Sequence, residues 1–284
     1  MDVADKVYTI TMNRPKKRNA ITFEMYNEIQ AALDEAAARD DVAVAVLTGA
    51  GEFYSSGNDL SNFANIPPEG PGALAEQAGE VLEAFVDKFI TFPKVLVAAV
   101  NGPAVGIPVT TLPLCDIVYA SHNATFHTPF TSLGQSPEAC SSVTFPAIFG
   151  QSRANEMLLF GRKISGELPP PRVSRTPPPV RQPALSDMYP HLRAFFMFAA
   201  AESKEWGLVS EVFEASTFQE EVAKRVKAGA ALFPNSLRLS KQLVRNHSVE
   251  QLQAANKTEL ELIKSRWVSD ECMQAIMSFM NRRK

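Results

Sequence analysis

The stretch from Val42 to Leu60, VAVAVLTGAGEFYSSGNDL, decides the fold. Its first six residues are apolar without alternation, the pattern of a strand buried on both faces, and the run ends at Thr48-Gly49. Upstream, Val7 to Met12 (VYTITM) alternates as a strand, and Thr22 opens a helix whose apolar positions Tyr26, Ile29, Leu33 and Ala36 keep helical spacing. Downstream, Leu74, Ala78, Val81, Phe85 and Phe89 share one face of a second helix that stops before Pro93. Lys94 to Val100 (KVLVAAV) and Asp116 to Ala120 (DIVYA) read as further buried strands. Strands separated by helices imply crossover units and a mostly parallel sheet, an α/β fold.

Composition narrows the function. Hydrophobic residues make up 45% and charged residues 21% of the 284, enough to bury a sizeable core and too apolar for overall disorder. A net charge of −3 disfavours a partner recognised through phosphate neutralisation, so no nucleic acid is expected. The longest apolar run, Ala194 to Ala201, is far short of the ~20 residues that span a bilayer. The start, MDVADKVYTI, has no secretory pattern. Cys115, Cys140 and Cys272 are sparse and form no CxxC pair, which speaks for a reducing compartment and against both a disulfide framework and a zinc site; no metal-ligand spacing is visible elsewhere, so no metal is expected.

Eight of the 20 prolines fall between Pro169 and Pro190, where no apolar periodicity is visible. No two of them sit three apart, so the window reads as an irregular excursion rather than a ligand for a Pro-binding domain. Beyond it the chain turns helical: Thr217 with Glu220 and Ser248 with Gln251 read as capping boxes, and Ser269 opens a last helix carrying Met273, Ile276, Met277 and Met280 on one stripe. The division expected is a core over 1–165, a Pro-rich insertion over 166–195, the end of the core over 196–234 and a helical region over 235–284.

Three stretches after strands are candidates for chemistry: Phe53 to Leu60, Asn101 to Ile107, and Thr128 to Cys140. Together with NRPKKRNAI, YSSGNDL, VNGPAVGI, LCDIVYAS, ATFHTPF, GQSPEACSS and WGLVSEVF, in that order, they make the sequence resemble the crotonase (enoyl-CoA hydratase/isomerase) superfamily, most of all its Δ3,Δ2-enoyl-CoA isomerases. The resemblance implies a spiral of ββα turns with a helical C-terminal region, a homotrimer, and a peroxisomal or mitochondrial matrix location, although the chain ends Asn281-Arg282-Arg283-Lys284 without a Ser-Lys-Leu address. It implies an acyl-CoA thioester as substrate and no separate cofactor.

Removing a proton α to a thioester leaves charge on the thioester oxygen, and two backbone N–H groups aimed at that oxygen are each worth roughly 3–4 kcal/mol. The resemblance assigns them to Ser56 and Ile107; Pro108 then suits the first position of a helix. Ser136-Pro137-Glu138 reads as the N-cap and first two positions of a helix. Acidic residues favour first turns merely for the dipole, but the resemblance makes Glu138 the base. The positions matching the two glutamates of the hydratases hold Thr110 and Phe130, which disfavours water addition; one shuttling glutamate suffices to move a double bond from C3 to C2. Lys17 and Arg18, with Ala20, resemble the loop beside the CoA nucleotide, or form a solvated charge run. Ser55, Gly57, Asn58, Asp59, Leu60 and Gly106 are expected to shape the loops around the thioester. His127 and Cys140 read as packed residues. A non-catalytic acyl-CoA-binding module is the alternative from another class, and a hydratase is a third reading.

Relatives pass from the GRK motif to GLV through one short helix, whereas here about thirty further residues intervene after Gly161 to Gly166. With eight prolines this segment cannot continue a helix, and loop-closure entropy lets an exposed insertion leave the core folded. The end Phe195-Phe196-Met197-Phe198 is too apolar to stay solvated and is expected to dock. Limited proteolysis is predicted to cut first between Pro169 and Arg193. Early cleavage inside Ser55 to Glu138, with that stretch protected, contradicts the prediction.

Overall fold

The computed structural model describes residues 2–63, 66–163 and 199–281. The Pro-rich excursion and the Phe195 to Phe198 end lie outside the described residues. A six-stranded sheet runs in the order β1 (Asp2–Ala4), β2 (Val7–Met12), β3 (Val44–Gly49), β4 (Val95–Val100), β6 (Ile117–Ser121), β8 (Glu211–Phe213). Only the β1–β2 pairing is antiparallel; the register of the others, such as Val44 opposite Val95, is parallel.

A second, shorter line of pairings lies beside the ends of these strands. Ile21 bridges Asn58, Ser55 bridges Ala104, and β5 (Ala104–Val105) pairs with β7 (Phe126–His127). Each turn of the chain is therefore a long strand, a short extended piece and a helix, the ββα repeat that the resemblance implies. The helices that follow are α1 (Phe23–Ala38), α2 (Pro71–Thr91), the short α3 (Ile107–Thr110), then α4 (Ser141–Phe149) and α5 (Gln151–Leu158). After the undescribed segment come α6 (Ala199–Glu205), α7 (Phe218–Ala230), α8 (Pro234–Arg245), α9 (Val249–Trp267) and α10 (Asp270–Asn281).

The uninterrupted apolar strands are buried on both faces because alternate residues serve different layers. Val44, Val46, Val97 and Ala99 pack with Phe218, Val222 and Val226 of α7. Ala45, Leu47, Ala98 and Val100 belong to the larger core, with Tyr26, Ile29 and Leu33 of α1 and Phe85 and Phe89 of α2. Full burial of such side chains is worth about 1.5–3 kcal/mol each. Helix α9 lies antiparallel on α2: Gln253 donates to Asp87 at 2.7 Å, Asn256 to the Glu83 carbonyl at 3.4 Å, and Lys264 pairs with Glu76 at 2.9 Å.

The helix starts are partly as expected. Thr22 caps α1 by accepting from the Met25 N–H at 3.4 Å, and Ser269 accepts from Cys272 at 3.3 Å. Thr217 and Ser248 stand at the predicted N-termini without closing a capping box. Both have near-helical backbone angles, and their hydroxyls turn back to donate to the Glu214 and Arg245 carbonyls. Of the last stripe, Met273 and Ile276 are half-buried and Met277 is exposed, the Met280 side chain lies outside the described ones, and Cys272 is fully buried.

Tight contact between the loops that follow β3 and β4 fixes their spacing. A Cβ added at Gly102 falls 1.9 Å from the Glu52 carbonyl oxygen, so Gly102→Ala must displace backbone and is predicted to cost about 3 kcal/mol. Gly229→Ala on α7, where an added Cβ meets nothing within 4 Å, is predicted to stabilise by about 0.5–1 kcal/mol. Urea unfolding of both variants checks this pair; equal stabilities contradict it.

Candidate active site

The site begins with a buried carboxamide. Asn19, fully buried in left-handed backbone (φ 52), donates from Nδ2 to the carbonyls of Ala50 (2.9 Å), Phe53 (2.8 Å) and Tyr54 (3.2 Å). Its Oδ1 accepts from the Arg14 N–H at 2.9 Å, and its own carbonyl accepts from the Ser55 hydroxyl at 2.7 Å. One side chain thus ties the loop after β2 to the loop after β3. Ser55 Oγ in turn accepts from the Gly57 N–H at 3.2 Å. Gly57 has φ +91, and a Cβ there falls 2.7 Å from the Val105 carbonyl oxygen, so only glycine lets the two loops approach this closely.

The backbone donors of these loops can be accounted for one by one. In the first, Ser56 donates to the Arg18 carbonyl at 2.9 Å, Gly57 to Ser55 Oγ, and Asp59 to the Ile21 carbonyl at 2.9 Å. In the second, Ala104 donates to Thr125, Val105 to Ser55, Gly106 to His127, and both Val109 and Thr110 to Gly106. The N–H groups of Asn58 and Ile107 are among those of these loops left without a partner among the described residues. This corrects the assignment of Ser56 as a donor to an oxyanion: its amide is consumed in holding Arg18, and the unpaired amide of the turn is two residues further on. Ile107 is the first residue of α3, with Pro108 at the second rather than the first position.

Glu138 also sits differently from expectation. Ser136 to Glu138 are not the start of a helix; α4 begins at Ser141, after Ala139 and Cys140 in left-handed backbone (φ 54 and 63). The reason lies 117–119 residues away: Glu259 of α9 accepts from the Cys140 N–H (Oε2) and the Ser142 N–H (Oε1), each at 2.7 Å, and caps α4 from outside. Within the loop the Glu138 carbonyl accepts from the Ser141 N–H at 3.2 Å and its hydroxyl at 2.7 Å. Arg266 of α9 adds a bond to the Gly134 carbonyl at 3.0 Å.

Glu138 and Asn58 line one small cleft, open to solvent and walled by Phe23, Tyr26, Phe63, Val81, Leu82 and Trp267. The rings of Phe63 and Trp267 stand 5.5 Å apart at its rim. The Glu138 carboxyl has no hydrogen-bond partner among the described residues. Burial, and then the nearby charge of Glu259, pushes its pKa from an ordinary 4.5 up to about 8. Tyr26, also lining the cavity, is held neutral by burial and by facing Glu138.

The other predicted residues divide. Lys17 and Arg18 are exposed on the loop after β2, with Arg18 5.2 Å over the Phe53 ring, and Ala20 is half-buried beside them. Asp59 is a pin: it pairs with Arg14 at 2.9 Å and accepts from Ser61, and these bonds hold it below the ordinary carboxylate range although burial raises it. Leu60 is half-buried in a short 3-10 turn, three residues before the cavity-lining Phe63. Gly106 shapes the second loop (φ 68), Thr110 hydrogen-bonds the Ile107 carbonyl at 3.3 Å, and Phe130 is buried. His127 is half-buried, and burial lowers its pKa. Among the described residues no group of His, Cys, Asp and Glu is placed to hold a metal, and no helix is long and apolar enough to cross a membrane.

The fold is a parallel-stranded spiral whose loops carry unpaired amides at Asn58 and Ile107 and whose cavity holds the Glu138 carboxyl. Residues 2–168 match the family model described as Enoyl-CoA hydratase/isomerase, and the chain belongs to that family. It is 48% identical over 279 residues to enoyl-CoA delta isomerase 2 of Homo sapiens, covering 98% of this chain and 62% of that protein. It is 42% identical over 279 residues to peroxisomal enoyl-CoA delta isomerase 3 of Mus musculus, covering 98% of this chain and 77% of that one. The crystal structure of an enoyl-CoA hydratase/isomerase from Pseudoalteromonas atlantica T6c superposes with a TM-score of 0.79 at 30% identity, over 100% of this chain and 96% of the other. The chain spans about three fifths of the human relative.

The raised pKa of Glu138 has a consequence for stability. The unfolded chain releases this proton near 4.5 and the folded one near 8, so between those values the folded state binds more protons. Stability from this group is present below 4.5 and is lost as pH rises through 8. Glu138→Gln is therefore predicted to be more stable than the parent at about pH 9, by on the order of 3 kcal/mol, and nearly equal at about pH 4. Urea midpoints at the two pH values check it; a pH-independent difference contradicts it.

Proposed function

We propose that the chain is an isomerase that shifts the double bond of a 3-enoyl-CoA to trans-2-enoyl-CoA, as in the oxidation of unsaturated fatty acids. The observation that carries this reading is one cavity lined by both Asn58, whose amide is unpaired, and an unpartnered Glu138, with the unpaired amide of Ile107 on the loop packed against Gly57. Glu138 takes a proton from C2; charge passes to the thioester oxygen, where the Asn58 and Ile107 N–H groups hold it; the same carboxyl returns the proton at C4. A base whose pKa lies close to the working pH is suited to both halves of that cycle. The apolar wall of Phe23, Val81, Leu82 and Trp267 suits the acyl chain. Lys17 and Arg18 suit the phosphates of CoA, and Ser55, Gly57, Asp59 and Gly106 hold the loops in place. The thioester is itself the substrate, and no cofactor takes part.

Hydration needs a second carboxyl facing the substrate. Glu259 is near Glu138, but each of its oxygens accepts a backbone N–H and it does not line the cavity. Thr110 and Phe130 supply no acid. A peroxisomal or mitochondrial matrix location and a homotrimer belong to the same proposal. The mouse relative, named as peroxisomal, supports the first. The apolar residues Phe233, Leu243 and Val244, left 82%, 71% and 78% exposed on and beside α8, support a subunit contact.

Purified protein given 3-hexenoyl-CoA is predicted to produce the conjugated enoyl-thioester absorbance, with kcat/KM rising with pH through about 8. Glu138→Gln is predicted to lower kcat by roughly 10²–10⁴-fold while still binding a saturated acyl-CoA. Ser56→Ala is predicted to be mild. A Glu138→Gln activity within about threefold of the parent overturns the assignment.

A further inference from the structure

The base of this site stands on a loop with no helix or strand of its own. Between Gly134 and Ser141 its carbonyls and amides are held chiefly from α9, by Arg266 on Gly134 and by Glu259 on Cys140 and Ser142. Two successive non-glycine residues, Ala139 and Cys140, are in left-handed backbone, each costing about 1–2 kcal/mol. This turn brings the Cys140 and Ser142 N–H groups onto one point, a small concavity suited to an anion, and Glu259 fills it at 2.7 Å on both sides. The carboxylate is 6% exposed, an expensive place for a charge that only caps a helix. A serine or asparagine at the cap does that locally and without a charge.

We propose that Glu259 is a positioning residue for the reaction: it ties the left-handed turn that aims Glu138 into the cavity and sets a fixed negative charge behind it. The inference rests on reading Glu138 as the base. Removing Glu259 has two separable effects. The turn loses the acceptor of two backbone N–H groups, so the base is less well aimed. The like charge that adds to burial in favouring protonated Glu138 also goes, so the base ionises at lower pH. The other titratable groups that face the pair are Tyr26 of α1 toward Glu138 and Cys140 toward Glu259. Asp87 of α2 and Arg245 of α8 act on Cys140 from further off. Burial raises the pKa of Glu259 itself, and its bonds to Cys140 and Ser142 oppose that rise. Cys140 is pushed up to about 12 and stays a neutral thiol.

Glu259→Gln and Glu259→Asp separate the two effects in the full chain. Glutamine keeps the length and removes the charge; aspartate keeps the charge and is too short to reach both N–H groups. Two readouts are taken: kcat and KM for 3-hexenoyl-CoA against pH, and the 13C titration of the Glu138 carboxyl, its signal assigned by loss in Glu138→Gln. In Glu259→Gln, kcat is expected to fall about 10–100-fold with KM within about threefold, and both the acid limb and the Glu138 titration move to lower pH. In Glu259→Asp, kcat falls while the Glu138 titration stays near that of the parent. A merely structural role for Glu259 moves neither titration, so lost activity with an unmoved midpoint in Glu259→Gln overturns the proposal. Activity within about threefold in both variants does so too. If circular dichroism shows Glu259→Gln unfolded, Glu259→Asp decides alone: kcat reduced about 10-fold or more with KM within about threefold and a parental fold supports the proposal, and parental kcat, or a KM that changes as much as kcat, overturns it. The carboxyl titration needs no turnover. A parent protein inactive on 3-enoyl-CoA, with the Glu138 midpoint still lowered in Glu259→Gln, removes the isomerase reading and leaves the coupling of the two carboxyls standing.

Discussion

The Asn19 carboxamide is the constraint on which the site depends. Two extended loops, after β2 and after β3, have no sheet partner along most of their length, and their carbonyls must be satisfied some other way. Asn19 does this for three of them at once, and the strain of its left-handed backbone is offset by those bonds. With Ser55 tied back to Asn19 and Gly57 to Ser55, the second loop has one shape available. That shape leaves the Asn58 N–H unpaired and brings Gly57 against Val105, two residues before Ile107 on the third loop.

Seen this way, the site is a set of hydrogen bonds left unmade in a neighbourhood where the rest are made. Ile107 is buried and its amide has no acceptor among the described residues; Glu138 is desolvated and its carboxyl has no donor. Each omission costs about 1–3 kcal/mol or more in the free protein, which is where the proposed substrate would supply the missing partner. The large two-faced core around β3 and β4 tolerates that cost. Glu259 shows the contrast: a more deeply buried carboxylate with both oxygens satisfied by backbone N–H groups.

What the sequence made legible follows from range. The strands over Val44–Gly49 and Val95–Val100, the apolar face of α1 and the cap at Thr22 are local patterns, and the structure has them. The loops that carry Ile107 and Glu138 were found through motifs of contiguous residues. Two errors came from features that no local pattern encodes. Ser136-Pro137-Glu138 has the composition of a helix start, but the start is set by Glu259 from more than a hundred residues away. Ser56 and Asn58 are two residues apart in one turn, and which amide is free depends on the Arg18 and Ile21 carbonyls of another loop. Asn19 and Glu259 themselves gave no signal: one is a polar residue in a charged loop, the other a glutamate in a polar helix.

The central claim is that one oxygen of the ligand meets both free amides while Glu138 faces the carbon next to it. A crystal structure of the protein with a non-reactive acyl-CoA, a saturated hexanoyl thioester, tests this most directly. The account predicts the thioester oxygen within about 3 Å of the N–H groups of Asn58 and Ile107, with the Glu138 carboxyl against C2 and the acyl chain along Phe23, Leu82 and Trp267. A thioester oxygen bound away from these two amides, or an acyl chain outside that cavity, contradicts it.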